Sequence, residues 1–402
     1  MRDNEQRWLI KSFAISGLGG RQSTYSKKLN SDVNIFFGLN GSGKTTLLRI
    51  LHAAVNEDVV SILGAPFESA EVELYFPRED LTIVRSLTMP DEEVVESALR
   101  HLPPSARSRP ERLTGYSSRR YLPDDLTWQN RVDPENENKL RKAINRRRLF
   151  LGPLPHRYLP ISRLSEFPSS GPDSPNQSLD EYFAKSIQQL WSTYSAEVLG
   201  QVGAAQESGL GRILEGLIAP DRPDRALTDD FDPDKSFDRV QSFLRRRQTA
   251  YLIQDKGDFI RRFETDPGFK RVVLDINEVE EQIEQALEPR KRLEDLVSRL
   301  ISGPKQISFE NSRIRTLTRG NKEISLERLS SGEKQLLRIL LEALAANGNP
   351  IIIDEPELSM HIDWQNVLIE SIQTIDMQAQ VITATHSPEI MAKFDDEKIF
   401  RL

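Results

Sequence analysis

The chain has 402 residues, 38% hydrophobic and 29% charged, with 54 Lys+Arg against 61 Asp+Glu and a formal net charge of −7. That balance describes a folded protein and argues against a uniformly basic nucleic-acid binder. Cysteine is absent, which excludes disulfides, a thiol nucleophile and thiolate-held zinc or iron–sulfur centres, and five histidines make an all-histidine metal site a poor prospect.

Met1 to Lys11 is polar and lacks the apolar segment of a signal peptide. No window reaches the ~18 apolar residues of a membrane span, so a cytoplasmic protein without a membrane span is expected. Trp8 to Ile15 reads as a strand, followed by a glycine-rich turn at Gly17, Gly19 and Gly20. Val33 to Phe37 is a compact β-run, and a helical pattern opens at Gly43 with Leu47, Leu48, Ile50 and Leu51. Alternation predicts strands over Val72 to Phe76 and Leu81 to Val84.

From Arg100 to Arg163 the composition turns basic and proline-rich, and Ser165 to Ser178 reads as an exposed loop. Ser178 and Glu181 form a capping-box pattern for a helix whose apolar stripe is Phe183, Ile187, Leu190, Trp191, Tyr194 and Val198. The acidic run Asp229, Asp230, Asp232 and Asp234 could suggest a metal site, but the prolines and turn residues around it fit a solvated loop. Two helical arms of roughly 30 residues, ~45 Å long, are expected on either side of Asp266-Pro267-Gly268. The second carries Val279, Ile283, Ala286, Leu293, Val297 and Leu300, with Arg290 in one polar slot and Pro289 expected to bend or interrupt it. Strands return at Ile307 to Phe309, Ile314 to Leu317 and Ile324 to Leu326.

Gly38 to Thr45 fits G-x-x-x-x-G-K-[ST] between a predicted strand and a predicted helix, the context a phosphate-binding loop requires. Backbone N–H groups of Asn40, Gly41, Ser42, Gly43, Lys44, Thr45 and Thr46 are the expected anion cradle, aided by the helix N-terminus. Lys44 would bridge β- and γ-phosphates and the Thr45 hydroxyl would ligate Mg²⁺. Pro350 to Glu355 is a three-isoleucine strand ending in two carboxylates, with Asp354 placed as a magnesium carboxylate and Glu355 as a general base. Ser330, Ser331, Gly332 and Glu333 open another helix, either as a second phosphate cradle or as a simple N-cap. His386 follows the strand Val381 to Thr385 and is placed for a γ-phosphate contact.

LSSGEKQ, with the phosphate loop before it and DEPELSMH and ATHSP after it, resembles the ABC-ATPase head of transporter cassettes and structural-maintenance-of-chromosomes (SMC) proteins. The wording DEPE-L-x-x-H-x-x-W-Q with THSPEI is most similar to the OLD-like branch, many of whose members serve anti-phage defence. The resemblance covers residues 1–85 and 305–402. It implies an α/β fold with a mixed central sheet and flanking helices, split around a largely helical insertion over 86–304 that contains a short helical hairpin.

It further implies ATP and Mg²⁺ as ligands, with Lys44, Glu355 and His386 catalytic and Thr45 and Asp354 at the metal. Ser331 and Gly332 would contact the γ-phosphate held by an opposite protomer, and Glu357 to His361 would be the D-loop crossing a homodimer interface. Higher homo-oligomers are compatible with this arrangement. The Q-loop glutamine is not placed beyond the candidate Gln129, and the adenine-stacking aromatic is Phe13 or Tyr25.

Three functions compete: a transporter cassette, an OLD-type nuclease, and a stand-alone ATPase that senses or assembles for a separate effector. A DNA-associated SMC-like repair ATPase is the nearest alternative to the last. The long stretch between Thr45 and Leu329 disfavours the cassette, and the chain ends at Leu402, shortly after His386, without room for a nuclease domain there. The preferred reading is an ATPase subunit of the PARIS, Septu or retron-associated kind, whose partner nuclease or toxin carries the activity. The arginines 146–148 and 245–247 offer a nucleic-acid or viral-protein surface, or only a solvated helix face. Arg163, after Tyr158 to Ser162, is placed at a strand terminus facing the site.

Overall fold

In the computed structural model, Ile351–Asp354 and Val381–Thr385 are buried along their whole length. Such strands are covered on both faces, as a parallel sheet between helical and sheet layers requires. The structure describes residues 8–101, 126–145, 152–160, 178–218, 232–246, 253 and 255–402. Arg146 to Arg148, Arg163, Ser165 to Gln177, Asp229, Asp230 and Arg247 lie outside them.

The strands in chain order are β1 (Leu9–Ser16), β2 (Thr24–Lys28), β3 (Val33–Phe37), β4 (Ser69–Phe76), β5 (Leu81–Thr88), β6 (Gln129–Arg131) and β7 (Arg157–Leu159). They continue as β8 (Lys305–Phe309), β9 (Ile314–Thr318), β10 (Glu323–Ile324), β11 (Ile351–Asp354), β12 (Val381–Thr385) and β13 (Ile399–Arg401). The helices are α1 (Lys44–Asn56), α2 (Glu92–His101), α3 (Glu137–Asn145), α4 (Leu179–Ile218), α5 (Pro233–Arg246) and α6 (Lys256–Thr265). After them come α7 (Pro267–Leu300), α8 (Ser331–Ala346), α9 (Ile362–Gln365), α10 (Leu368–Ile375) and α11 (Pro388–Met391).

The chain divides into two compact units. Among the described residues, one lies within 191–292 and 309–314, the other within 8–190, 293–308 and 315–402. The second unit is α/β. Its parallel sheet has the order β13-β3-β12-β11-β7 and an antiparallel sheet has the order β2-β1-β4-β5-β6. The stretch 86–304 therefore supplies a strand to each sheet, β6 against β5 and β7 against β11. Helix α1 packs against β11, β12 and β4 and is buried nearly all round, through Leu47, Leu48, Ile50, Leu51, Ala53, Ala54 and Val55.

The C-terminal end of α1 is closed by a buried cation. Arg85 of β5, 1% exposed, donates to the carbonyls of Ala54 (2.7 Å), Val55 (2.8 Å) and Gly152 (2.6 Å), and to Asn130 Oδ1 (3.1 Å). Glu57 lies 3.3 Å away and balances the charge. Those carbonyls have no partner inside the helix, and the negative end of the helix dipole favours a cation there. On the same helix His52 Nδ1 meets His156 Nε2 at 2.6 Å, and the His52 ring stacks on Tyr158 at 4.2 Å. Burial pushes the two imidazoles down to about 3 (His52) and about 4 (His156), so both are neutral in the fold.

The other unit is helical, with a core of Val240, Phe243, Phe259, Phe263, Val273 and Ile276. The expected pair of long arms is not what forms. Asp255 caps α6 by accepting from Gly257 N and Asp258 N, so the stretch before Asp266 holds two separate helices, α5 and α6. Asp266 does make the turn, accepting from Gly268 N (2.9 Å) and Phe269 N (3.1 Å) at the start of α7. Pro289 does not interrupt α7, which runs on to Leu300. The carbonyl that Pro289 leaves without a donor belongs to the exposed Gln285, where water can satisfy it. Asp232 is a helix cap, accepting from Asp234 N and Lys235 N, and Arg246 pairs with the buried Glu280. Arg290 stacks over Trp191 (5.2 Å), whose Nε1 donates to Glu310 O (2.8 Å).

Candidate nucleotide site

Strands β3, β12 and β11 lie side by side in parallel, so their C-terminal ends present the phosphate loop, His386 and Asp354-Glu355 along one edge. Ligand sites of parallel α/β sheets form at that edge. The loop turns through Gly41 (φ 78°) and Gly43 (φ 98°), conformations only glycine adopts freely, and α1 starts with no side-chain cap. Its first N–H groups therefore remain available to an anion. Gly38 admits no side chain, because an added Cβ would lie 2.8 Å from Leu402 O and from Ser42 Oγ.

Lys44, 4% exposed, is held by its own loop. Its Nζ donates to Gly38 O (2.9 Å) and Leu39 O (3.1 Å) and sits 2.8 Å from His386 Nε2. The same Nε2 is 3.1 Å from Glu355 Oε1. An ammonium can only donate, so Nε2 accepts from Lys44 and the imidazole proton belongs on Nδ1. Burial lowers the Lys44 pKa, against the pull of Glu355, Asp354 and Glu357. Glu355 has φ 46°, a left-handed value costly for a side chain with a Cβ, and is fixed by its N–H donating to Ala384 O (2.8 Å).

Asp354 is 2% exposed, and among the described residues neither carboxylate oxygen has a hydrogen-bond partner of normal geometry, the Thr45 hydroxyl lying close beside it. Burial is the largest cause pushing its pKa up to about 7; the neighbouring Thr45 and Lys44 act against the shift, Glu355 and Glu357 with it. A buried orphan carboxylate facing a threonine hydroxyl fits a hard divalent cation, so Thr45 and Asp354 are the residues that would hold magnesium.

The segment after β11 braces this edge. Glu357 Oε1 accepts from His386 N (2.6 Å), and Ser387 Oγ donates to Gln365 Oε1 (2.7 Å). His361 caps α9, accepting from Asp363 N. Gln365 stands in the W-Q pair of the motif, yet nothing in the sequence marked it as the clamp on the loop after β12.

Ser330 and Glu333 make a complete capping box on α8, and Glu333 also accepts from Lys305 Nζ (2.8 Å). Gly332 is required by packing, since a Cβ there would lie 2.6 Å from Ser359 O and 3.2 Å from the Trp364 ring. Ser331 is exposed at the first position of the helix. The remaining candidates lie elsewhere. Gln129 is on the exposed edge strand β6. Phe13 is 2% exposed between Tyr25 and Phe36, and Tyr25 is partly buried with its hydroxyl donating to Arg401 O (3.2 Å).

A family profile described as "AAA domain, putative AbiEii toxin, Type IV TA system" matches residues 33–392. The chain belongs to this family. It is also similar to the Retron Ec83 probable ATPase of Escherichia coli, 27% identical over 124 residues that make up 27% of this chain and 23% of the relative. The Retron Vc95 probable ATPase of Vibrio cholerae serotype O1 biovar El Tor is 29% identical over 97 residues, 21% of this chain and 19% of that one. The chain thus matches under a quarter of the length of either relative. Among solved structures it is similar to the Smc head domain with an extended coiled coil from Pyrococcus furiosus, bound to the C-terminal domain of ScpA (14% identity, TM-score 0.43, 98% of this chain and 93% of that one). It is similar, too, to the Smc head of Thermotoga maritima (14%, TM-score 0.38, 96% and 92%). The family and the retron relatives bear out the resemblance to an ATPase of the retron-associated kind. No helix among the described residues is long and apolar enough to cross a membrane.

Proposed function

We propose that this chain is an ATP-hydrolysing head that pairs with a second copy around ATP and controls a separate effector in anti-phage defence. The observation that carries the catalytic part is the contact chain from Lys44 through His386 to Glu355, beside the orphaned carboxylate of Asp354. A triphosphate entering the loop offers Lys44 better acceptors than the carbonyls of Gly38 and Leu39. Once Lys44 leaves it, His386 Nε2 is free to carry a proton and to donate to phosphate or to Glu355. The fixed Glu355 carboxylate then accepts the proton of the attacking water. Magnesium, when bound by Thr45 and Asp354, supplies charge neutralisation at the β- and γ-phosphates.

The exposed Ser331, at the first position of α8, supports a γ-phosphate contact made toward a second copy rather than within one chain. The retron relatives, probable ATPases by name, support the ATPase part of this reading, and a retron-associated ATPase is the setting in which a defence role with a separate effector is proposed. A cytoplasmic location follows from that role. Glu355→Gln removes the base and keeps the side chain's size, so it should accumulate an ATP-bound dimer. Sedimentation velocity with Mg-ATP reads this directly: a shift from monomer to dimer supports the pairing, and an unchanged monomer with ATP bound contradicts it.

A further inference from the structure

The glycine-rich turn after β1 forms a second wall of the phosphate loop. Gly17, Gly19 and Gly20 all have left-handed φ values (74°, 65° and 78°), and Gly19 N donates to Pro66 O at 2.9 Å. At Gly17 even a Cβ would collide with Glu68, 2.7 Å from its Cγ and 2.9 Å from its backbone nitrogen. Three such residues in four positions are a backbone path that other side chains strongly disfavour. The path seats Leu18, fully buried, against Gly43, whose notional Cβ lies 3.5 Å from Leu18 Cγ. It then delivers Arg21 in extended conformation (φ −78°, ψ 142°), with Nη2 donating to Ser42 O at 3.2 Å. One donor of the fork is used on the loop, while the side chain as a whole is exposed at its mouth.

The charge balance gives this arginine a task. Lys44 already faces three carboxylates, Asp354, Glu355 and Glu357. A triphosphate adds more negative charge than one lysine and one divalent ion can offset. We infer that Arg21 binds the polyphosphate of the incoming nucleotide as a second protein cation, with the Gly17–Gly20 turn as its rigid mount. Guanidinium forks match phosphate oxygens well, and pre-fixing one donor on Ser42 O reduces the ordering that binding requires.

This inference rests on the phosphate loop being a nucleotide site, so the experiment separates the two. Equilibrium binding of Mg-ATP and Mg-ADP is measured for the parent, Arg21→Ala and Arg21→Lys, together with melting with and without nucleotide. Loss of a charged hydrogen bond predicts roughly tenfold or greater weakening for Arg21→Ala, an intermediate value for Arg21→Lys, and a smaller ATP-induced rise in Tm. The nucleotide-free Tm should stay that of the parent, since the guanidinium is exposed. A greater loss for ATP than for ADP assigns the contact to the terminal phosphate, and an equal loss assigns it to the inner ones. Binding by Arg21→Ala within about twofold of the parent overturns the inference. A parent that binds no ATP would instead overturn the ATPase reading.

Discussion

Two helix N-termini in this chain follow glycine- and serine-rich segments, and they are built in opposite ways. Helix α1 begins after Gly43 with no side-chain cap, so its first N–H groups stay open. Helix α8 begins after Ser330 with a full capping box, so the N–H groups of Ser330 and Glu333 are satisfied by its own side chains. The sequence offers the start of α8 as a second anion cradle or a simple N-cap, and its side chains do form the cap, whereas α1 leaves its first donors uncapped for a phosphate. What α8 can offer is the exposed Ser331 and the backbone at Gly332, which is pressed against Ser359. Serine at the cap and serine one residue later therefore differ: Ser330 is engaged in the helix cap, while Ser331 is exposed and is the residue proposed to meet nucleotide.

Substitutions can break this contrast. Lys44→Ala should have the largest effect on nucleotide: loss of the only side-chain cation inside the loop is expected to weaken Mg-ATP binding by ~100-fold or more, read by equilibrium titration. Arg85→Met should act on the opposite end of α1. It removes the guanidinium donors from the carbonyls of Ala54, Val55 and Gly152, of which Val55 keeps Leu154 N, and leaves Glu57 unbalanced, an expected loss of ~3 kcal/mol in denaturant unfolding. Ser330→Ala should cost only ~1 kcal/mol, the worth of a helix cap, and should leave ATP binding by the phosphate loop unchanged. If it abolished binding instead, the division between the two helix starts would be wrong.

The smallest effect concerns acid. His52 and His156 titrate near 3 and 4 in the fold, below the ordinary 6.5, so the unfolded chain binds more protons across that interval. Their contribution is fully present above about pH 6.5 and declines as pH falls towards 4. Melting temperatures should fall over that range, and His52→Asn with His156→Asn should flatten the fall.

How far the sequence could be read depended on where the physics is local. Val33 to Phe37, Pro350 to Glu355 and Gly38 to Thr45 combine an apolar strand with a turn of restricted residue types, so strand and loop were legible. The capping box at Ser178 and Glu181 is equally local and forms as expected. The contact of Lys44 with His386 joins positions 342 residues apart, and no periodicity encodes it. Arg85 shows the same limit: its side chain fits an alternating strand, and its partners lie on a helix, a strand and a loop. The helical arms misled because Asp255-Lys256-Gly257 holds a strong helix start inside what reads as one amphipathic run. Pro289 misled because a proline's cost depends on whether the carbonyl it frees is wet.

The central claim is that the phosphate loop of one copy works with Ser331 of another, and mixing two inactive variants tests it most directly. Lys44→Ala leaves Ser331 intact, and Ser331→Arg leaves the phosphate loop intact, so a mixed dimer holds one complete site. ATPase activity, absent from each variant alone, should appear on mixing. A mixture as inactive as its components, with mixed dimers demonstrably formed, would contradict it.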